Sequence, residues 1–396
     1  MKLILTLSVL VAVAMAQEYA ELLDKLLKEG NDRFTARMFN EVVKSKPDES
    51  VVLSAFSVMT PLAQLSLASE GASHNELLKA IGLPNDNITK AVFSRLNNRL
   101  LSIKGIELKT ASKIYVPKGF ELNPEFSAIT RDVFKSEVKN VDFTKNTETA
   151  KEINTWVEDQ TNNRIKDLVK AELLDSYTRL VLVNAIYFKG KWDSPFNKKD
   201  TTEQDFYVSK GKTIKVPMMH TSDEFKYADS KELNAQLLEL PYKGYEASFI
   251  VILPKEIDGL AALVEKLKDP AALELATSNM NYFAIEVSLP KFKIETETNL
   301  KTVLPKMGVN RLFHSHQAQL SRLIKDDKSM FVSAAIQKAF IEVNEEGAEA
   351  AAANAFTSDR ITGGPMQFIA NHPFVFLLKA GQNTLFSGVF LFKNEK

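Results

Sequence analysis

Histidine, serine, cysteine and lysine side chains do chemistry only in company, and the chain offers few such groupings. His314-Ser315-His316 is the sole close pair among five histidines. On a strand this spacing would set two imidazoles on one side, as a metal site needs, but no third ligand type lies nearby and a polar loop is the better reading. No metal ligation is expected. Gly71-Ala72-Ser73-His74 places a serine beside a histidine, yet it lacks the second glycine of a nucleophile elbow and precedes a helix instead of following a strand. Gly211-Lys212-Thr213 looks like the end of a phosphate-binding loop, with Phe206 where the first glycine should stand. Cysteine is absent, so thiol catalysis and disulfide bonds are both excluded. These residues do not assemble an enzyme, and no cofactor is expected.

A different chemistry is suggested by Asn344 to Phe356, Asn-Glu-Glu-Gly-Ala-Glu-Ala-Ala-Ala-Ala-Asn-Ala-Phe, followed by a turn-prone segment holding Arg360 and Gly363-Gly364-Pro365. Read locally, Glu345-Glu346 ahead of alanines resembles a helix N-terminus, because acidic side chains suit its unpaired N–H groups. The other reading is an extended segment able to slide between two strands, with Gly347 as the pivot. Alternation would then put Ala348, Ala350, Ala352, Asn354 and Phe356 on one face, with Glu349 on the other. Local pattern alone favours the exposed helix.

The segment also resembles the hinge of the reactive-centre loop of serpins, and the likeness extends along the chain. Asn184 to Trp192 is similar to the family's third central strand and the turn after it, and Phe368 to Leu378 to its C-terminal signature. Leu53-Ser54-Ala55-Phe56-Ser57-Val58 and Leu289-Pro290-Lys291-Phe292-Lys293 fit as well. The resemblance runs from about Asn31 to Phe392, in the family's order, and points to secreted antitrypsin-type serpins of insects. It implies an α+β serpin fold with about three β-sheets, eight or nine helices and an exposed reactive-centre loop near 345–365. It reverses the local preference for a helix. Glu345, Glu346, Gly347, Ala348, Glu349, Ala350, Ala351, Ala352 and Ala353 become the hinge, and the loop is offered to a serine protease as a substrate.

Two bonds compete for the cut. The family's usual count from Glu345 reaches Ile361–Thr362, which suits a shallow apolar pocket of the elastase kind. A loop one residue shorter gives Arg360–Ile361, and Arg360, the only basic residue of the loop, suits the acidic pocket of a trypsin-like protease. The second is preferred. The resemblance further assigns Ser54, Ser57 and Asn184 to a polar cluster beneath the sheet opening and Trp192 to its top. Gln337 stands where many relatives carry histidine; its amide both donates and accepts, so the cluster is retained while a histidine-dependent response to pH is not expected. The rival readings are a non-inhibitory serpin acting as carrier or chaperone, against which the alanine-rich hinge argues, and a secreted hydrolase, which lacks its motifs.

These parts need a large scaffold, and composition supplies one: 396 residues, 45% hydrophobic and 25% charged. No Pro/Gly/Ser-rich linker divides the chain, so one domain over 17–396 is expected, acting as a monomer. Lys plus Arg and Asp plus Glu are equal at 50 each, which leaves no field for nucleic acid or a membrane surface. Residues 1–16, with an apolar run from Leu3 to Met15 and alanines at 14 and 16, read as a secretory signal. Asn87-Ile88-Thr89 is a glycosylation sequon.

Periodicity places the elements. Helices are expected at Arg33–Lys44, from near Ser57, over His74–Ile81, Ala91–Ile103, Asn123–Phe134 and Ala150–Leu168, and over Ile257–Ala276 with a break at Pro270. Strands are expected at Ile106–Val116, Val138–Phe143, Arg179–Phe188, Asp205–Val208, Thr213–Met219, Ala235–Leu240, Ala247–Leu253 and Phe283–Ile294. Phe331–Val343 would flank the gap that the hinge enters. Helices and strands are segregated, which is the α+β pattern.

Overall fold

Helix and strand patterns in this chain resolve into two sheets wrapped by helices. The structure, a computed structural model, describes residues 2–100, 105–325, 330–345 and 366–392. Its first half comprises α1 (Lys2–Ser45), β1 (Val51–Leu53), α2 (Ala55–Ala68), α3 (Gly71–Ile81), α4 (Asp86–Leu100), β2 (Ile106–Pro117), α5 (Pro124–Phe134), β3 (Val138–Val141), α6 (Asn146–Gln160) and β4 (Leu180–Gly190). Then come β5 (Thr202–Ser209), β6 (Lys212–Ser230), β7 (Ala235–Pro241), β8 (Ala247–Pro254), α7 (Leu260–Lys266), α8 (Pro270–Ser278), β9 (Asn281–Pro290) and β10 (Phe292–Asn299). The chain ends with α9 (Leu300–Val303), β11 (Val332–Val343), β12 (Met366–Ile369), β13 (Phe374–Ala380) and β14 (Asn383–Phe390).

Among the described residues, one sheet has five strands in the order β10-β11-β4-β2-β3, and the other has nine. The long β6 is an interior strand that joins two strand sets of the nine-stranded sheet, pairing with β5 and β9 along most of its length and with β7 at its end. The architecture is α+β, as expected.

The five-stranded sheet separates two cores. Along β4 the residues Leu180, Leu182, Ile186 and Phe188 face the main core, while Val181, Val183, Ala185 and Tyr187 face a smaller one that includes Ile153 and Val157 of α6. A strand covered on both faces has to be largely apolar, which explains why β4 reads as a hydrophobic run interrupted up to Phe188 by Asn184 alone.

Several boundaries differ from the sequence expectation, each for a physical reason. The amphipathic pattern expected over Ala150–Leu168 ends at Gln160, because Asn162 and Asn163 adopt positive φ. Ile165 and Leu168 are buried all the same, carried by an irregular segment. The run Phe283–Ile294 is two strands in different sheets, divided at Pro290 and Lys291, since proline cannot donate to a ladder. Helix α2 starts at Ala55, two residues before Ser57, because Ser54 caps it, and α3 already begins at Gly71. Helix α4 starts five residues before Ala91, at Asp86. Pro270 is the first residue of α8, where its missing N–H costs nothing.

Candidate functional site

The centre of interest is the seam where β11 lies directly against β4. The two strands are parallel, paired from Val332↔Leu180 to Ile341↔Phe188 with one register shift between Val332 and Ala334, so no other strand stands between them. Beyond β11 the chain continues through Asn344 and Glu345. The hinge residues Glu346, Gly347, Ala348, Glu349, Ala350, Ala351, Ala352 and Ala353, and the candidate bonds at Arg360, Ile361 and Thr362, lie outside the described residues.

Behind the middle of the seam the structure brings together the four residues that the sequence singled out. Gln337 of β11, Asn184 of β4 and Ser54 are fully buried, and Ser57 is nearly so. Gln337 Nε2 lies 2.7 Å from the Ser54 carbonyl oxygen and 2.8 Å from Asn184 Oδ1, the two acceptors that its two protons can serve. Gln337 Oε1 accepts from the Ser54 backbone N–H at 3.2 Å. Ser57 Oγ donates to Asn184 Oδ1 at 2.7 Å, and Asn184 Nδ2 donates to the Ser57 carbonyl at 3.1 Å. Ser54 keeps its ordinary work as the cap of α2, its hydroxyl accepting from the Ser57 N–H at 3.1 Å. Every member is paired and none is titratable, so this part of the closure carries no intrinsic pH dependence.

At the top of the seam stands Trp192, buried, its ring stacked on Tyr242 with centroids 4.5 Å apart. The indole N–H donates across the seam to the Asn344 carbonyl at 2.8 Å. Gly190 makes the stack possible, because a Cβ there would sit 2.4 Å from the Tyr242 ring. Burial pushes the Tyr242 hydroxyl well above its ordinary pKa, so it stays neutral. Next to the tryptophan, Glu345 turns inward and is only 5% exposed. Its carboxylate meets Lys291 Nζ at 2.8 Å and accepts from the Thr201 hydroxyl at 2.9 Å. Burial opposes its charge, but Lys291, its own backbone N–H and Thr201 together outweigh burial and hold the carboxyl below the usual glutamate value. Glu345 is therefore a buried clamp and not part of an exposed helix.

Two further ties cross the seam. Lys338 of β11 donates to the Lys166 carbonyl, in the segment after α6, at 2.7 Å and pairs with Glu295 of β10 at 2.9 Å. At the bottom the Arg179 N–H donates to Ser333 Oγ at 2.9 Å. Sequence reasoning missed Thr201, Lys338 and Ser333, and met Lys291 and Asn344 only as parts of longer motifs. No local signal marks them, since each finds its partner through the fold.

The other candidates do not gather into a site. His314 and His316 sit on a polar turn, and no metal-ligand cluster occurs among the described residues. Gly211 closes the hairpin between β5 and β6 at φ 85°. Asn87 is exposed in the first turn of α4, while the Thr89 hydroxyl of its sequon is tied to the Asn85 carbonyl at 2.8 Å.

A central pair of strands, zipped by polar ties and continuing into a long connecting segment, belongs to a known class. The model of the serpin (serine protease inhibitor) family matches residues 29–391, and the chain belongs to that family. It is 55% identical over 395 residues to the antitrypsin of Bombyx mori, covering 99% of this chain and all of that one. To antichymotrypsin-2 of Bombyx mori it is 58% identical over 371 residues, covering 93% and 98%. Among solved structures it resembles Serpin48 of Tenebrio molitor, with TM-score 0.85 and 34% identity over 94% of this chain and 99% of that one. The insect antitrypsin-type kinship read from the sequence thus holds, and a serpin's function is that of a serine protease inhibitor.

Proposed function

We propose that the protein is a secreted suicide-substrate inhibitor of trypsin-like serine proteases. The observation that carries this reading is the direct parallel pairing of β4 with β11, with the hinge attached to the end of β11. The protease serine attacks the carbonyl carbon of the cut residue and forms an ester, and the C-terminal fragment leaves as the amine. Once cut, the segment from Glu346 onward is tethered only at β11 and can enter between β4 and β11, as is established for serpins in general. One parallel ladder is replaced by two antiparallel ones. Adding about a dozen residues gains a similar number of strand hydrogen bonds at roughly 1 kcal/mol each, a drive on the order of 10 kcal/mol. Ala348, Ala350 and Ala352 enter without crowding.

The printed names of the relatives include both an antitrypsin and an antichymotrypsin, so they do not select the target. Arg360 does, as the one cation of the loop. Export is supported by residues 11–16 of α1, all of them exposed, Val11, Val13 and Met15 included, while the first core residue among the described side chains is Leu23. No described helix is long and apolar enough to cross a membrane.

Incubation with trypsin followed by a denaturing gel tests the reading. A band at the summed mass is expected, with Thr362 absent and Ile361 present as the first residue of the released fragment. Simple nicking without a complex would overturn inhibition, and a fragment beginning at Thr362 would move the cut to the bond after Ile361.

A further inference from the structure

Away from the seam, a cavity of about 310 Å³ lies between one face of the nine-stranded sheet and the helices α1 and α8. Strand register builds its floor. Ile250 of β8 stands beside Leu377 of β13, and in the next row Ser248 of β8 and Thr384 of β14 flank Lys379 of β13. Phe39 of α1, Leu273 of α8, Leu267 and Met280 give it an apolar roof.

Lys379 is half-buried, and its amine has no hydrogen-bond or ion-pair partner among the described residues. The other charges of the wall are committed elsewhere: Lys28 lies 2.9 Å from both Asp32 and Glu274, and Glu239 lies 3.5 Å from Lys226. Burial pushes the Lys379 amine below the ordinary lysine pKa. Lys28 acts in the same direction, and Asp32, Glu239 and Glu274 oppose it without prevailing. Ser387, fully buried beside Leu377 and lining the same cavity, has a hydroxyl that likewise lacks a partner.

A lysine that sheds its proton in an apolar pocket is the nucleophile that Schiff-base chemistry needs. The charge balance narrows the ligand. Two ammonium groups, Lys28 and Lys379, stand against three carboxylates, Asp32, Glu239 and Glu274, so the wall does not favour an anion. An apolar roof over an amine and an unused hydroxyl suits a neutral carbonyl compound with a hydrocarbon tail.

We propose that this cavity is a covalent binding site for a neutral aldehyde, its apolar tail lying under Phe39, Leu267 and Leu273 and its carbonyl carbon meeting the Lys379 amine. The nitrogen lone pair forms the C–N bond, the carbonyl oxygen leaves as water with the two amine protons, and an imine remains. The step is reversible and needs no oxidant or reductant.

The test incubates the full mature chain with hexanal or acetaldehyde in the presence of cyanoborohydride, which reduces an imine to a stable secondary amine, and locates the labelled lysines by peptide mass spectrometry. Hexanal is expected to label Lys379 at least about tenfold faster than the exposed Lys231 between β6 and β7, a factor that burying about two methylenes supplies. Acetaldehyde has no tail to bury and should show a smaller preference. The preference should widen as pH falls from about 9 to about 6, because an amine of depressed pKa keeps its neutral form to lower pH. Leu273→Trp, which narrows the cavity and leaves Lys379 in place, should remove the preference for hexanal in a chain that circular dichroism shows to be folded. Labelling of Lys379 no faster than that of Lys231, or an undiminished preference in the folded Leu273→Trp variant, would overturn the site.

Discussion

Gln337 and Glu345 hold the seam by different means, and pH separates them. The amide of Gln337 cannot titrate, so the closure around it should be constant across the range where histidine changes charge. Gln337→His should change the pH dependence of the melting temperature between about 5.5 and 7.5, beyond the share that the buried His372 already gives the wild type; thermal melts of both proteins across that range check it, and identical slopes would contradict the account. Glu345 has the opposite character. Its folded pKa is depressed, so its contribution is complete above the ordinary glutamate value of about 4.3 and is lost as pH falls through the folded value. Glu345→Gln should therefore lower stability at pH 7 by about 1.5–3 kcal/mol, the worth of hydrogen bonds to a buried charge, and the difference should close in acid. Part of this was legible in the sequence: Ser54, Ser57, Asn184 and Gln337 were readable as a set through resemblance. The inward turn of Glu345 was not, because its partners Lys291 and Thr201 are remote in sequence and nothing in Asn344-Glu345-Glu346 distinguishes a buried carboxylate from an exposed one.

Among the elements, β4 was the easiest to read, since a strand covered on both faces is nearly all apolar, here with Asn184 as the interruption, whereas β11 carries Ser333, Gln337, Lys338 and Glu342 and was placed through the resemblance. The segment after α6 was the hardest. Ile165 and Leu168 continue the apolar spacing of a helix while the backbone, turned by Asn162 and Asn163, does not. Burial alone cannot tell an irregular cover from a helical one. That cover bears on function, because Lys338 ties β11 to the Lys166 carbonyl within it, and this tie must be released if the seam is to part. The entering hinge adds its own requirement. Ala348→Arg should convert the inhibitor into a substrate, because a guanidinium entering the sheet early must shed its water at a cost of several kcal/mol, giving hydrolysis time to finish. A gel with trypsin should show nicked chain and no complex; an undiminished complex would contradict the hinge assignment.

For the molecule as a whole, the proposed mechanism makes the closed seam a state with a better alternative. A sheet of five strands has an interior parallel pair whose ladder can be exchanged for an added strand, and the polar ties at top, middle and bottom keep that exchange waiting. On that mechanism the free energy is held in the chain's connectivity, since the segment that would fill the seam cannot enter fully while its far end leads into β12. Cutting the chain near Arg360 removes that restraint. The most direct measurement is a comparison of thermal melting for the intact protein and for the protein nicked once in the loop. The account predicts a large rise in melting temperature after nicking, and coincident curves would contradict it.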